Sequence, residues 1–516
     1  MLKKKKSAFI WITIITIICK GLGFVKNSVL AYYYGTSPIV DAYVMTFSIG
    51  LITTGWIAGL IGNFTPLYKQ LEVKQKERVI YFSGNIFNGL YIVTFLLILL
   101  LLVFTPQIVC FVAPGFTGET FALTVLFFRI YVISLLFYVG YRFFKEYLNC
   151  NQYHILAVVP DVFMSSVCIL AICISQYTRK EFLILGYVIA VLLQFVFELV
   201  FAKQKGFRFC KGFVIDTSVK KMLQMSFPIF LSDTLAHINV MIDKIFASRL
   251  DSGTVSAMEY ATTMREFVYQ IGTIAILTTL LPVLSKLNAE KKIDDFFKKT
   301  IKSLRYMTLF YVPITMGIVI MGDWVIEIVY MRGSYDALAA KITTECFIIY
   351  SLGLIALVYR CVFLQAFCAQ QKTKYILLVS SINVVLNVIL NCIFVEKLGY
   401  IGLTLATTIA SVVCVPIYFI LTTKIAVDIE YGELGKVAIK SFGASLVMLI
   451  LICPIKYNLL NFEMGMLGKS IAFFFITLFG MNIYLFAIKI LKIDEVDLLY
   501  KNLCLNIRRM YIKYKQ

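Results

Sequence analysis

Lys20, Lys26, Arg129, Lys244, Arg265, Arg360 and Lys440 each stand inside a long apolar stretch of this sequence, as do the acids Asp41, Asp161, Glu198, Asp233, Asp243 and Glu266. A cation near the centre of a bilayer costs roughly 2.5–3.5 kcal/mol on insertion scales, so a span keeps one where it lines a wet cavity, meets a partner or snorkels out. Lys20 and Lys26 are separated by about 600° of helical rotation, which leaves them about 120° apart and able to border one broad polar face with Gly23 and Asn27. Lys20 lies some way past the Lys3–Lys6 cluster, roughly 20 Å along a helix, farther than a lysine stem snorkels, so cavity lining is the better reading. Arg265 and Glu266 share a polar mid-span with Tyr260, Thr262, Thr263 and Tyr269. They either neutralise each other or a neighbour, or they face water. Asp41 follows Gly35 and Pro38, where a helix cap and a functional carboxylate are both open readings. Asp243 and Lys244 read as structural partners inside the bundle, and Arg142 and Arg360 as snorkelling helix-end residues.

The elements that must hold these groups follow from composition. Of 516 residues, 60% are hydrophobic and 15% charged, with a positive mean hydropathy. A soluble domain of this size would expose large apolar patches, so the chain is a polytopic membrane protein, all-α because its apolar runs are about 20 residues long and lack the two-residue alternation of barrel strands. The same composition excludes a soluble enzyme, a secreted disulfide scaffold and a disordered tail protein. Thirteen cysteines and two histidines, His154 and His237, show no metal-ligand spacing and no triad, so no metal, cofactor or catalytic residue is expected. The net charge of +20 sits in clusters at Lys3–Lys6, 69–78, 203–221, 286–305 and 501–515. These fall in alternate loops, the positive-inside pattern with both termini cytoplasmic, rather than on one aromatic-studded face that would bind nucleic acid.

Hydropathy and Gly/Pro punctuation predict about fourteen helices: 8–34, 40–68, 80–105, 121–148, 155–177, 182–202, 222–249, 256–285, 301–322, 338–368, 375–396, 400–423, 436–456 and 467–490. The first is read as a retained span, since it lacks a small-residue cleavage site. A weak internal repeat runs through them. Ala31 and Pro66 are 35 residues apart, as are Ala247 and Pro282, and Tyr141-Arg142 matches Tyr359-Arg360 at nearly the same displacement. Six spans separate the copies, so they enter the membrane in the same sense, which predicts two pseudo-symmetric six-helix lobes around a central cavity plus two C-terminal helices. The expected organisation is 1–205 as N-lobe, 206–425 as C-lobe, 426–490 as the last two spans and 491–516 as a basic cytoplasmic tail. The cationic first and eighth spans would then offer a site for an anionic cargo.

The residues Lys20-Gly-Leu-Gly-Phe-Val-Lys26, Ala31–Gly35 and Asp41-Ala42-Tyr43 resemble the first-span signature of the MurJ/MviN lipid II flippase family. Ile238-Asn239, Met241-Ile242-Asp243, Ala247-Ser248, Gly253-Thr254-Val255-Ser256 and Leu281–Ser285 resemble its seventh and eighth spans. Met331–Asp336, Tyr350–Leu354, Gln370–Lys374 and Asn383–Asn387 extend the resemblance along most of the chain.

The resemblance implies a transporter of the MOP superfamily, MATE-like in its lobes, with a lipid groove formed by the last two spans. It would carry an undecaprenyl-diphosphate-linked saccharide across a bacterial cytoplasmic membrane by alternating access and contribute to peptidoglycan and cell-wall biogenesis. Lys20 and Lys26 stand where the family has cavity arginines, Asp41 at its acidic residue and Glu266 at its eighth-span glutamate. The candidate substrate-binding set is Lys20, Lys26, Asn27, Asp41, Ser256, Arg265 and Glu266. Departures are a missing arginine near Thr53-Thr54-Gly55, an Arg265 displaced by about two positions, roughly 200° of rotation, and lysines in place of arginines, which exchange a bidentate clamp for point charges. They leave the headgroup open between lipid II and a capsule, exopolysaccharide or O-antigen unit. A MATE-type drug exporter would want an acidic cavity instead. A membrane glycosyltransferase or ligase would want an outer domain, and the connections near 106–120 and 457–466 are too short for one. The expected partners are the lipid-linked saccharide and membrane lipids, with no protein partner legible.

Overall fold

The chain is described by a computed structural model over residues 2–74, 76–423, 431–460 and 465–493. The basic tail beyond Ile493 and the side chains of Lys3–Lys6 and Asp233 lie outside the described residues. Helices α1 (Leu2–Tyr34), α2 (Pro38–Lys74), α3 (Lys76–Val112), α4 (Gly118–Cys150), α5 (His154–Val158), α6 (Asp161–Ser175), α7 (Phe182–Gln204) and α8 (Thr217–Ala247) are followed by α9 (Thr254–Ala289), α10 (Ile293–Tyr330), α11 (Ala337–Leu352), α12 (Leu354–Ala369), α13 (Thr373–Thr423), α14 (Tyr431–Leu460) and α15 (Met466–Ile490). No strand occurs among the described residues. Within a bilayer each backbone N–H and C=O must be satisfied inside its own segment, and helices do that.

Ten of these helices are long and apolar enough to cross a membrane, twelve when the bent pairs Thr254–Ile274 with Thr279–Ala289 and Ala337–Leu352 with Leu354–Ala369 each count as one span. Two predicted spans, 375–396 and 400–423, are the two helical segments of α13, which meet at a non-helical Gly399 (φ 56°, ψ −132°), a conformation open to glycine. The predicted seventh span corresponds to α8, Thr217–Ala247, which is not among the ten. The described helices are thus compatible with fourteen crossings. Several helices outrun their apolar cores because flanking Lys, Glu and Gln residues are good helix formers and carry the winding into water. The predicted span 155–177 corresponds to His154–Ser175, one of the ten, in which Val159 and Pro160 keep helical backbone angles where α5 meets α6.

The described residues form two compact units. One runs to Tyr260 and adds Tyr330–Ala339 and Asn391–Leu403; the other holds the remainder. In the first unit, α2 packs on α8 and α4, α4 on α7 and α3, and α6 on α1 and α7. Its core is aromatic: Phe64 stacks on Phe82, and Phe64, Phe87, Phe143, Phe144, Tyr147 and Phe207 meet in edge or tilted contacts. In the second unit, the α14–α15 hairpin packs against α10 through Trp324, Met448, Ile452 and Tyr484. Tyr484 is fixed there by donating to the Leu309 carbonyl at 2.7 Å. Large apolar side chains such as Phe95, Leu96, Val103, Phe474, Phe475 and Phe486 point outward, as a hydrocarbon solvent permits.

Candidate functional site

Helix α1 carries Lys20, Lys26 and Asn27 in the first unit. Its closest neighbour is α6, where a Cβ on Gly23 would come within 3.8 Å of the Ser165 hydroxyl. Lys20 is exposed and Lys26 half-buried, and neither forms an ion pair among the described residues. The Lys26 ammonium instead sits 6.0 Å from the Tyr43 ring centroid and 5.9 Å from that of Phe47, both on α2. Such cation–π contacts are worth about 0.5–2 kcal/mol and leave the three N–H donors available to an anion.

Asp41 and Ser256 meet at the turn between α1 and α2. Asp41 is 2% exposed, and its carboxylate accepts the Gly253 N–H at 2.6 Å and the Ser256 N–H at 2.8 Å. The Ser256 hydroxyl returns to the Gly253 carbonyl at 3.0 Å, and Tyr260 donates to the Gly35 carbonyl at 3.1 Å. Ser334 completes the junction by donating its backbone N–H to Tyr32 O at 2.8 Å and its hydroxyl to Tyr33 O at 3.0 Å. Glycine is required where these backbones touch. Gly35 (φ 56°) and Gly253 (φ 90°) adopt left-handed conformations, and a Cβ on either would collide with the carbonyl of Ser334 or Thr36. Asp41 is therefore both a first-turn carboxylate and a tie between distant segments.

In the second unit, Arg265 pairs with Glu266 at 3.0 Å and lies 4.9 Å over the Tyr350 ring. Its Nε is buried and unbonded, whereas the Glu266 side chain is 41% exposed. This is the mutual neutralisation that the sequence left open. Asp243 and Lys244 are both engaged within the first unit: Asn391 donates to Asp243 at 2.8 Å, and Lys244 reaches Glu259 and Ser48 at 2.7 Å each. Lys440 snorkels to the Leu491 carbonyl at 2.8 Å, and Arg360 lies half-buried beside Tyr418. In the turn after α9, the bond from Lys292 holds the exposed Glu290 carboxyl below the usual range.

Three charged arrangements escaped the sequence reading. Lys145 pairs with Asp161 and Tyr141, Lys456 with Asp323 at 2.6 Å, and Lys469 with Glu327 at 2.8 Å. Glu198 stands apart from these pairs, since neither of its buried carboxyl oxygens has a hydrogen-bond partner among the described residues.

The family model described as "Lipid II flippase MurJ" matches residues 30–478. The chain belongs to this family. Its relatives include "Probable lipid II flippase MurJ" of Rickettsia prowazekii (strain Madrid E), 26% identical over 94% of this chain and 97% of that protein. Another is the protein of the same name from Thermotoga maritima, 24% identical over 92% of this chain and 94% of its own length. Among solved structures, "Lipid II flippase MurJ, inward closed conformation" superposes with a TM-score of 0.79 at 24% identity, covering 93% of this chain and 98% of that one. An inward-facing MATE transporter of the MOP superfamily follows at 0.67 and 15% identity, over 78% of this chain and 93% of its own. Within the MurJ family, the fold of this chain is thus that of a multi-pass transporter.

Proposed function

We propose that the chain is a flippase carrying an undecaprenyl-diphosphate-linked saccharide, lipid II foremost, from the inner to the outer leaflet of a bacterial cytoplasmic membrane by alternating access, with both termini cytoplasmic. The observation that carries this reading is the pair Lys20 and Lys26, two cations on one membrane helix that form no ion pair with a carboxylate among the described residues. Unpartnered cations in a span need an anion or water, and a diphosphate supplies the anion while its prenyl tail stays in lipid. The chain acts as a carrier and makes or breaks no bond in its cargo. Residues 1–205 and 206–425 serve as the two transport lobes, and 426–490 as a lipid-facing hairpin.

Arg265 of the second unit is a further candidate phosphate ligand, since phosphate oxygens compete with Glu266 for the same guanidinium. Asn27 offers an amide to the headgroup. Asp41 and Ser256 tie the α1–α2 turn to the start of α9 within the first unit and so brace the helix that carries the two lysines. A related cargo, another polyprenyl-diphosphate oligosaccharide, is supported by one observation: both α1 cations are lysines, which recognise charge without the bidentate geometry of arginine.

Complementation of a strain depleted of its lipid II flippase tests the reading. Rescue by the wild type and its loss in Lys20→Ala or Lys26→Ala supports lipid II. Failure of the wild type to rescue, with capsule export restored in a suitable host, moves the cargo to the second class.

A further inference from the structure

Glu198 of α7 is fully buried, and neither carboxyl oxygen has a hydrogen-bond partner among the described residues. One turn earlier on the same face, Gln194 donates its amide to the Pro160 carbonyl at 3.1 Å and leaves its own buried oxygen unbonded. Three buried acceptor atoms therefore stand one turn apart on this face of α7 with no donor among the described residues. The nearest cation does not help, because the Lys145 ammonium spends its three N–H groups on Asp161 Oδ1 (2.8 Å), Asp161 Oδ2 (2.6 Å) and the Tyr141 hydroxyl (2.9 Å). The Tyr141 O–H goes to Asp161 as well. An ionised Glu198 here would be an uncompensated buried charge, whereas a proton on it supplies the missing donor.

We propose that Glu198 is a proton-binding site, neutral in this conformation and ionised when Lys145 exchanges Asp161 for it, so that a proton binds in concert with the diphosphate of the cargo. The balance is simple. Glu198 loses H⁺ to water as Lys145 moves across to neutralise the new carboxylate, and regains it as Lys145 returns to Asp161. The charged groups that packing brings toward Glu198 are Lys145 from α4 and Asp161 from α6, and Tyr141 of α4 is bonded to both of them. The third neighbouring helix, α5, contributes the exposed His154, which is bonded to Asn149.

The coupling path is short. Helix α6 also packs on α1, and Cys19, adjacent to Lys20, lies within electrostatic reach of Asp161, Lys145 and Lys20. A diphosphate drawn to the α1 cations adds negative charge near this network, which favours the neutral form of a carboxyl. A bare proton fits better than a sodium ion, which would need a shell of several oxygens, while the Asp161 oxygens are already occupied. The coupling rests on the flippase reading; the proton site itself does not.

The test uses the full chain in lipid nanodiscs, read by infrared difference spectroscopy across a pH titration, with undecaprenyl diphosphate as the probe. The expected result is a buried protonated-carboxyl band near neutral pH that is lost in Glu198→Gln, shifts its titration in Lys145→Gln, and persists to higher pH once undecaprenyl diphosphate is added. Absence of that band in the wild type, or its survival in Glu198→Gln, overturns the proton site. Should Glu198→Gln fail to fold, an unmoved titration in Lys145→Gln does the same. A band displaced by sodium at fixed pH makes the site a cation site instead. A band whose titration ignores the lipid removes the coupling alone. Failure of the wild type to bind undecaprenyl diphosphate, measured separately, removes the flippase reading and the coupling with it and leaves the band to decide the proton site.

Discussion

Asp41 Oδ1 lies 2.8 Å from the backbone nitrogen of Ser256, a residue 215 positions farther along the chain. The second oxygen binds the Gly253 nitrogen, so one buried carboxylate ties the start of α2 to the start of α9. Hydrogen bonds to a charged group contribute about 1.5–3 kcal/mol each, and a lost partner leaves a buried N–H unsatisfied. Asp41→Asn keeps the shape but can accept through one oxygen only. Amide hydrogen exchange at Gly253 and Ser256 is expected to speed up by about tenfold or more, corresponding to roughly 1.4 kcal/mol or above. Unchanged exchange would mean that the carboxylate does not hold this end.

Gly35→Ala and Gly253→Ala meet two obstacles at once, a left-handed backbone and a facing carbonyl. Each is expected to cost about 1–3 kcal/mol and lower the melting temperature of the solubilised protein. Gly62→Ala is the control, because a Cβ there meets nothing within 4 Å and needs no unusual backbone angle. Equal behaviour of all three variants would contradict the close approach at the turn.

Lys456 binds both oxygens of Asp323 at 2.6 Å and the Ile320 carbonyl at 2.5 Å, pinning α14 to α10. Removing one partner leaves the other as a poorly solvated charge. Asp323→Asn and Lys456→Met are each expected to destabilise, and the double variant should lose less than their sum, with a coupling of about 1–3 kcal/mol in a thermal-unfolding cycle. Strict additivity would show that the pair is solvated and idle.

Much of the fold was legible because a bilayer imposes simple rules: apolar runs of spanning length have to be helices, and their ends follow Gly, Pro and charge. The details that failed are those set by tertiary contact. Nothing local tells that Ala337–Leu352 and Leu354–Ala369 meet at 46°, or Thr254–Ile274 and Thr279–Ala289 at 47°, while Pro66 and Pro106 leave their own helices unbroken. At the site, Lys20 and Lys26 stood out by type and position alone. Asp41 looked like a first-turn acid, and it is one, but its partners are more than 200 residues away and no spacing rule reaches that far. Arg265 and Glu266 are neighbours in sequence, so their pairing was open to anticipation. The isolation of Glu198 was not, because it depends on Lys145 choosing Asp161, a choice made by the packing of α4, α6 and α7.

The central claim is that the α1 ammonium groups hold a diphosphate during transport. The most direct measurement is lipid II translocation in proteoliposomes containing wild type, Lys20→Ala, Lys26→Ala and the corresponding arginine variants, with folding checked by thermal melts. The account predicts that each alanine variant melts normally yet translocates at least about tenfold more slowly, the loss of about 1.4 kcal/mol or more of anion contact, while arginine retains transport. Wild-type rates in both alanine variants would contradict it.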